Sequence, residues 1–267
     1  MNHARNDELR SVAIYWDFEN LHAGLIEDKF GEGTYGKPDN RFKVQEPLVD
    51  IQAIVELGAS FGPIAINRAY CNWQYFGRYR DQLLQCAVEL LQLFPPGASA
   101  KNGADIKLCL DAAEDLARFD HIGTLIIVGG DSDFMPLAQK IKAAGRTLVG
   151  VGTRRATNRH WAKSCHEFRY YENLVEDGLT KVEHEPAEAP VPPDPAAEIM
   201  RRAVRLLAEN RGEPWVHKAA IWPMIKRLDS TFDPRDFGHA GFAEMVKALD
   251  HIIEVRKGEF DHEVRLR

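Results

Sequence analysis

Five short β-rich runs recur through the first 171 residues, and stretches of helical character separate them. The runs are Val12–Trp16, Ile64–Tyr70, Thr124–Val128, Thr147–Val151 and Glu167–Tyr171. Apolar spacing between them predicts helices over Leu48–Ala59, about Asp105–Phe119, Phe134–Ala144 and Asn158–Lys163. It also predicts a long amphipathic stretch over Tyr79–Phe94, which Pro95-Pro96 stops. Strands that alternate with helices pair in parallel, and the crossovers cover both faces of the sheet. The expected fold class is therefore α/β, a three-layer domain around a central parallel sheet. The Gly/Lys/Asp-rich stretch Asp28–Glu46 reads as an insertion with little structure of its own.

A composition shift divides the chain. Residues 176–195 hold five prolines and six acidic residues against one lysine, with no hydrophobic periodicity. That pattern predicts a solvated linker between a domain over 1–175 and a smaller one over 196–267. The smaller domain shows helical spacing over Ala197–Ala208, Lys218–Leu228 and Phe242–Leu249. Two short strands then flank Lys257-Gly258, so a small winged-helix-like domain is expected. The net charge of −6 excludes a surface that is basic throughout. The linker supplies most of that acidity. Four cysteines lie far apart with no Cys-x-x-Cys pair, which predicts reduced thiols rather than a zinc ribbon or a disulfide framework. No signal peptide or membrane-spanning run is expected, and a cytoplasmic location follows.

In open α/β sheets the ligand site lies beyond the carboxyl ends of the strands. Asp17 ends the first strand, with Glu19 and Asn20 behind it. Gly129-Gly130-Asp131-Ser132-Asp133 follows the strand at Thr124–Val128, and Asp105 opens a helix. Any one of these carboxylates could be a helix cap. Together on one rim they repel, and they need a cation or shifted pKa values. Hard oxygen donors suit Mg²⁺ or Mn²⁺ and phosphate substrates. Asp111 lies six residues after Asp105, about 240° around a regular helix, so both do not face one point.

The loop after Val151 is basic, with Arg154, Arg155, Arg159, His160 and Lys163 around Trp161. Cations with an interleaved aromatic suit a phosphate backbone and a stacked base, which makes Arg154, Arg155, Arg159, Lys163 and Trp161 the expected nucleic-acid contacts. Arg78, Arg80, Lys101 and Lys107 are weaker choices. Gly150-Val-Gly152 follows a strand as a dinucleotide fingerprint would, but Arg155 stands where the third glycine belongs. Asp17-Phe-Glu19 matches the paired acids of an aspartyl-phosphate phosphatase only loosely.

The motifs Val12-Ala-Ile-Tyr-Trp-Asp17-Phe-Glu-Asn20, Asn102-Gly-Ala-Asp105-Ile-Lys-Leu and Gly129-Gly-Asp131-Ser-Asp133-Phe-Met-Pro136-Leu resemble the NYN domain family, the LabA-like branch of the PIN-like ribonucleases. The resemblance covers roughly residues 10–174. It implies a PIN-like α/β/α sheet and metal-dependent RNA cleavage. Asp17, Asp105 and Asp131 carry over as the metal-site core, with Asn20 and Asp133 as supporting residues and Asp133 as a further ligand. The segments Trp215-Val-His, Ile221–Gly238 and Phe242 with the terminal hairpin resemble the LOTUS (OST-HTH) domain. That resemblance implies RNA binding or protein docking through residues 196–267.

The expected function is a metal-dependent endoribonuclease using Mg²⁺ or Mn²⁺, with RNA as partner and a C-terminal binding module. The alternative is a non-catalytic RNA-binding adaptor whose acidic pocket is vestigial or regulatory.

Overall fold

The structure is a computed structural model that describes residues 11–94, 103–178, 194–229, 231–258 and 262–267. The chain forms two compact units that change over at Asp177/Gly178. The first contains β1 (Ser11–Asp17), α1 (Phe18–Phe30), α2 (Pro38–Arg41), α3 (Ile51–Phe61), β2 (Ile64–Cys71), α4 (Arg80–Gln85) and β3 (Glu89–Gln92). It continues with α5 (Gly103–Arg118), β4 (Ile122–Val128), α6 (Met135–Ala143), β5 (Thr147–Gly152), α7 (Arg159–Ser164), β6 (Glu167–Tyr170) and α8 (Tyr171–Gly178).

All six strands run parallel in the order β3-β2-β1-β4-β5-β6. The winding direction reverses between β1 and β4, which opens a crevice at their carboxyl ends. Both central strands are sealed on both faces, and β4 is buried over its whole length. On one face Ala13, Tyr15, Leu125 and Ile127 pack against Leu108 and Ala112 of α5 and Leu137 and Ile141 of α6. This is the α/β architecture that the five β-rich runs predict.

The stretch Tyr79–Phe94 departs from its expected helix. Helix α4 ends at Gln85, and the chain returns as β3, pairing Arg68 with Glu89 through Cys71 with Gln92. The stop is a Schellman motif. Val88 N–H donates to Leu83 O, Ala87 N–H donates to Leu84 O, and Ala87 takes φ +49°. Glycine usually fills that left-handed position, so an alanine there left no stop signal in the sequence.

The Asp28–Glu46 insertion is also more ordered than expected. It begins inside α1, includes α2, and buries Tyr35 and Gln45. Tyr79 Oη accepts the backbone N–H of Leu48 and Val49 at 2.7 and 3.1 Å, so its hydrogen is directed to His22 Nδ1 at 2.9 Å. His22 Nε2 then donates to Gln45 Oε1, and Gln45 Nε2 donates to the carbonyls of Asn40 and Lys43. Burial lowers the His22 pKa, which keeps the ring neutral for these roles.

The second unit comprises α9 (Pro195–Arg211), β7 (Val216–His217), α10 (Lys218–Leu228), α11 (Phe242–Ala248), β8 (Ile253–Lys257) and β9 (His262–Leu266). Its core joins Met200, Ala203 and Val204 to Ile221, Ile225, Met245, Ile253 and Val264. The strands form an antiparallel sheet in the order β7-β9-β8. On the hairpin, Arg256 and Arg265 lie over the Trp215 ring at 3.9 and 4.7 Å. Of the expected linker, α8 extends through Gly178, Asp194 caps α9 by accepting Ala196 N–H, and residues 179–193 lie outside the described residues. All four cysteines are free, with Cys71 buried. No described helix is long and apolar enough to cross a membrane.

Candidate metal centre

Four carboxylates arrive at the β1/β4 crevice from three segments. Asp17 is the last residue of β1 and caps α1, its Oδ1 accepting Asn20 N–H at 3.2 Å. Asp105 lies in the first turn of α5 and is nearly buried. Asp131 follows β4 after Gly129-Gly130 and caps the next turn by accepting Asp133 N–H. One oxygen each from Asp105, Asp131 and Asp133 lies within 4.8 Å of the other two, and Asp17 hydrogen-bonds to Asp105. Capping and clustering thus coincide at Asp131, whose cap bond fixes one of the three carboxylates that converge.

The electrostatics are unfavourable without a cation. Burial first, then the hydrogen bond to and charge of Asp105, push the Asp17 carboxyl well above the usual carboxylate range. Burial also raises Asp105, with the charges of Asp131, Asp133 and Glu19 adding to the effect and the Asp17 hydrogen bond opposing it. Among the described residues no Lys or Arg forms an ion pair with these four acids. At 4.8 Å and an effective dielectric near 20, two carboxylates repel by about 3.5 kcal/mol. A compact all-oxygen donor set with uncompensated charge fits a hard divalent ion such as Mg²⁺ or Mn²⁺.

The Gly129-Gly130 loop that carries Asp131 is gripped from two sides. Asn20 Oδ1 accepts Gly130 N–H at 2.9 Å, so Asn20 serves to position this loop. From the other side Asn158 N–H donates to Gly130 O at 2.8 Å, and Trp161 Nε1 donates to Gly129 O at 2.9 Å. A Cβ on Gly129 would lie 2.7 Å from the Phe134 ring, which excludes any larger residue there. These contacts correct the expectation for Trp161. Its ring is fully buried, 5.5 Å from Phe134, and cannot stack on a base. The glycines of Gly150-Val-Gly152 are likewise packing residues, because a Cβ would meet Phe168 at one and Thr157 at the other.

Helix α5 is locked in rotation by buried acids on its sheet-facing side. Tyr15 Oη and Arg68 Nη1 both donate to Asp115 Oδ2, at 2.9 and 2.6 Å. One turn nearer the site, Tyr70 Oη donates to Asp111, which also pairs with Lys107. Asp111 is thus engaged with β2 while Asp105 reaches the cluster, as the 240° separation requires.

Arg154, Arg155, Arg159 and Lys163 are all exposed. Arg154 lies 4.6 Å from the Tyr170 ring centre and donates to Asn173. Because Asn158 is bonded to Gly130, this basic segment adjoins the loop bearing Asp131. Of the weaker choices, Arg78 pairs with Glu46, Lys107 with Asp111, and Lys101 lies outside the described residues.

Glu19, which the sequence places behind Asp17 but gives no role, is held by the insertion. Glu19 accepts from Tyr35 Oη at 3.1 Å and from Arg41 Nε at 2.8 Å. The insertion therefore holds and partly neutralises a further carboxylate at the rim.

The sequence matches the NYN domain family over residues 11–172 and the OST-HTH/LOTUS domain over residues 195–264. An uncharacterized protein of Methanocaldococcus jannaschii is 34% identical over 104 residues, 39% of this chain. The match spans 40% of that protein's length. The crystal structure of a protein of unknown function from Vibrio parahaemolyticus is similar at 18% identity and a TM-score of 0.48. That match covers 62% of this chain and 95% of the other.

Proposed function

We propose, from the premise that this chain belongs to the NYN domain family, that it is a metal-dependent endoribonuclease acting at Asp17, Asp105, Asp131 and Asp133. NYN domains are typically nucleases, and the OST-HTH/LOTUS domain is an RNA-binding domain. The single observation that carries the reading is the convergence of three carboxylate oxygens within 4.8 Å of one another, with no ion-paired cation among the described residues. A divalent ion bound there supplies charge stabilisation and an activated water for phosphodiester hydrolysis.

The protein's own residues divide the remaining work. Asp105, Asp131 and Asp133 hold the ion, and Asp17 supports Asp105 from the end of β1. Asn20, Asn158 and Trp161 keep the Gly129-Gly130 loop in place. Arg154, Arg155, Arg159 and Lys163 take the phosphates that flank the scissile bond, where cations supply affinity without reading sequence. The second unit captures RNA and raises its local concentration through a tether.

The test is incubation of purified full-length protein with a mixed RNA pool in Mg²⁺, Mn²⁺ or chelator. Cleavage in metal alone, abolished by Asp131→Asn in a folded protein, is the expected result. RNA binding without cleavage in either metal would favour the adaptor instead.

A further inference from the structure

Helix α5 carries two apolar stripes, although packing on the sheet requires only one. Leu108 and Ala112 enter the core. Ile106 and Leu110, 59% and 62% exposed, form the second stripe, beside Cys109 and Ala113, which are partly buried against the core. Facing them across the surface, α6 presents Pro136, Leu137 and Lys140. Between the helices lies a cleft of about 310 Å³, whose lining also includes Asp105 and Asp133. Binding sites for small ligands begin near about 300 Å³ and are mostly apolar with a few polar groups. The cleft meets both criteria, and it shares two residues with the carboxylate cluster.

We propose that this cleft is a base-binding subsite that receives the nucleobase of the nucleotide whose phosphate lies at the carboxylates. The inference rests on the RNA-cleaving reading and adds to it a place for one splayed base. Asp105 and Asp133 select this occupant: they line the cleft and also belong to the cluster. A group held at the cluster thus brings its covalently attached neighbour over the apolar walls. Enzymes that take a base out of its stack hold it between aromatic or apolar side chains. Ile106 and Leu110 on one side and Pro136 on the other supply such walls. Lys140, the one cation among the lining residues, stands ready for a neighbouring phosphate.

The experiment compares adenosine 5′-monophosphate with ribose 5-phosphate, which lacks the base, by calorimetric titration of the full-length protein in Mn²⁺. The nucleotide should bind roughly 10-fold more tightly, the scale of contact with one base. The double substitution Ile106→Ala/Leu110→Ala changes only exposed side chains. It should reduce nucleotide binding to the ribose 5-phosphate level and leave ribose 5-phosphate unchanged. Equal binding of the two ligands by the unaltered protein would overturn the subsite while leaving the phosphate site intact. Binding of neither would overturn the phosphate site, and the cleavage reading with it. A dimer in sedimentation that the double substitution dissociates would assign the cleft to a second copy of the chain and also overturn the proposal.

Discussion

Replacing Asp105 with asparagine should stabilise the metal-free protein at neutral pH while removing its response to metal. Asp105 faces two carboxylate oxygens within 4.8 Å. Each pair costs about 0.9 kcal/mol at the dielectric of water and about 3.5 kcal/mol at an effective dielectric of 20. Asp133 is exposed, so solvent screening places the two pairs together near the low end, at about 2–3 kcal/mol. Asparagine keeps the shape of the side chain and an oxygen beside Asp17, and loses only the charge. For a chain of this size the melting midpoint should rise by roughly 4–12 °C.

The sign is set by the upward shift of the Asp105 carboxyl. A raised folded pKa gives stability below the unfolded value of about 4, and that stability is lost as pH rises through the folded value. The variant should therefore match the wild type near pH 4 and exceed it near pH 8. Saturating Mn²⁺ should raise the wild type by about 2.7 kcal/mol at 100 times its dissociation constant, and should raise the variant far less. Melting curves at both pH values, with and without Mn²⁺, provide the measurement. A variant that is no more stable at pH 8 than at pH 4, relative to wild type, would refute the charge argument.

Trp161→Phe keeps an aromatic ring against Phe134 but leaves Gly129 O without its donor. It should cost about 1–3 kcal/mol in denaturant unfolding and lower kcat more than it raises KM; a pure KM effect would restore the ring to RNA stacking. Alanine at Arg154 and Arg159 should weaken single-stranded RNA binding uniformly across sequences and flatten its salt dependence by roughly 0.7 for each phosphate that is no longer neutralised. An unchanged slope would remove these side chains from the RNA path. Limited proteolysis should cut within the Pro-rich, acidic segment 176–195 and release two folded pieces. Residues 1–178 alone should keep the turnover of the full chain with weaker apparent affinity for RNA, and unchanged affinity would point to a protein partner for the second unit.

How far the sequence reached depended on whether a feature was local. Each of the five β-rich runs became a strand: β1, β4 and β5 because burial on both faces demands nearly continuous apolar residues, and β2 and β6 with charged residues where the sheet is only partly covered. The opposed placement of Asp105 and Asp111 followed from helix geometry alone. Strand β3 was hidden because the apolar spacing of Tyr79–Phe94 fits a helix and the chain reversal rests on Ala87 rather than glycine. Trp161 looked like a base-stacking residue because it stands among cations; only its tertiary bond to Gly129 O identifies it as a core residue. The insertion is ordered by His22, Gln45 and Tyr79, partners far apart in sequence, so no local pattern announced it.

The reversal of strand order between β1 and β4 makes the protein a natural two-part lock. One part, ending at β3, brings Asp17 and Asn20. The other, beginning at α5, brings Asp105, Asp131 and Asp133. A chain divided between Gln92 and Gly103 would leave the second fragment with the three clustered carboxylates but without Asp17 and Asn20, and would give each fragment an open sheet edge at β1 or β4. Each edge is the natural template for the other. Function would then report reassembly, because Asn20 reaches the Gly129-Gly130 loop, and Tyr15 and Arg68 reach Asp115 of α5, only where the two halves of the sheet are zipped together.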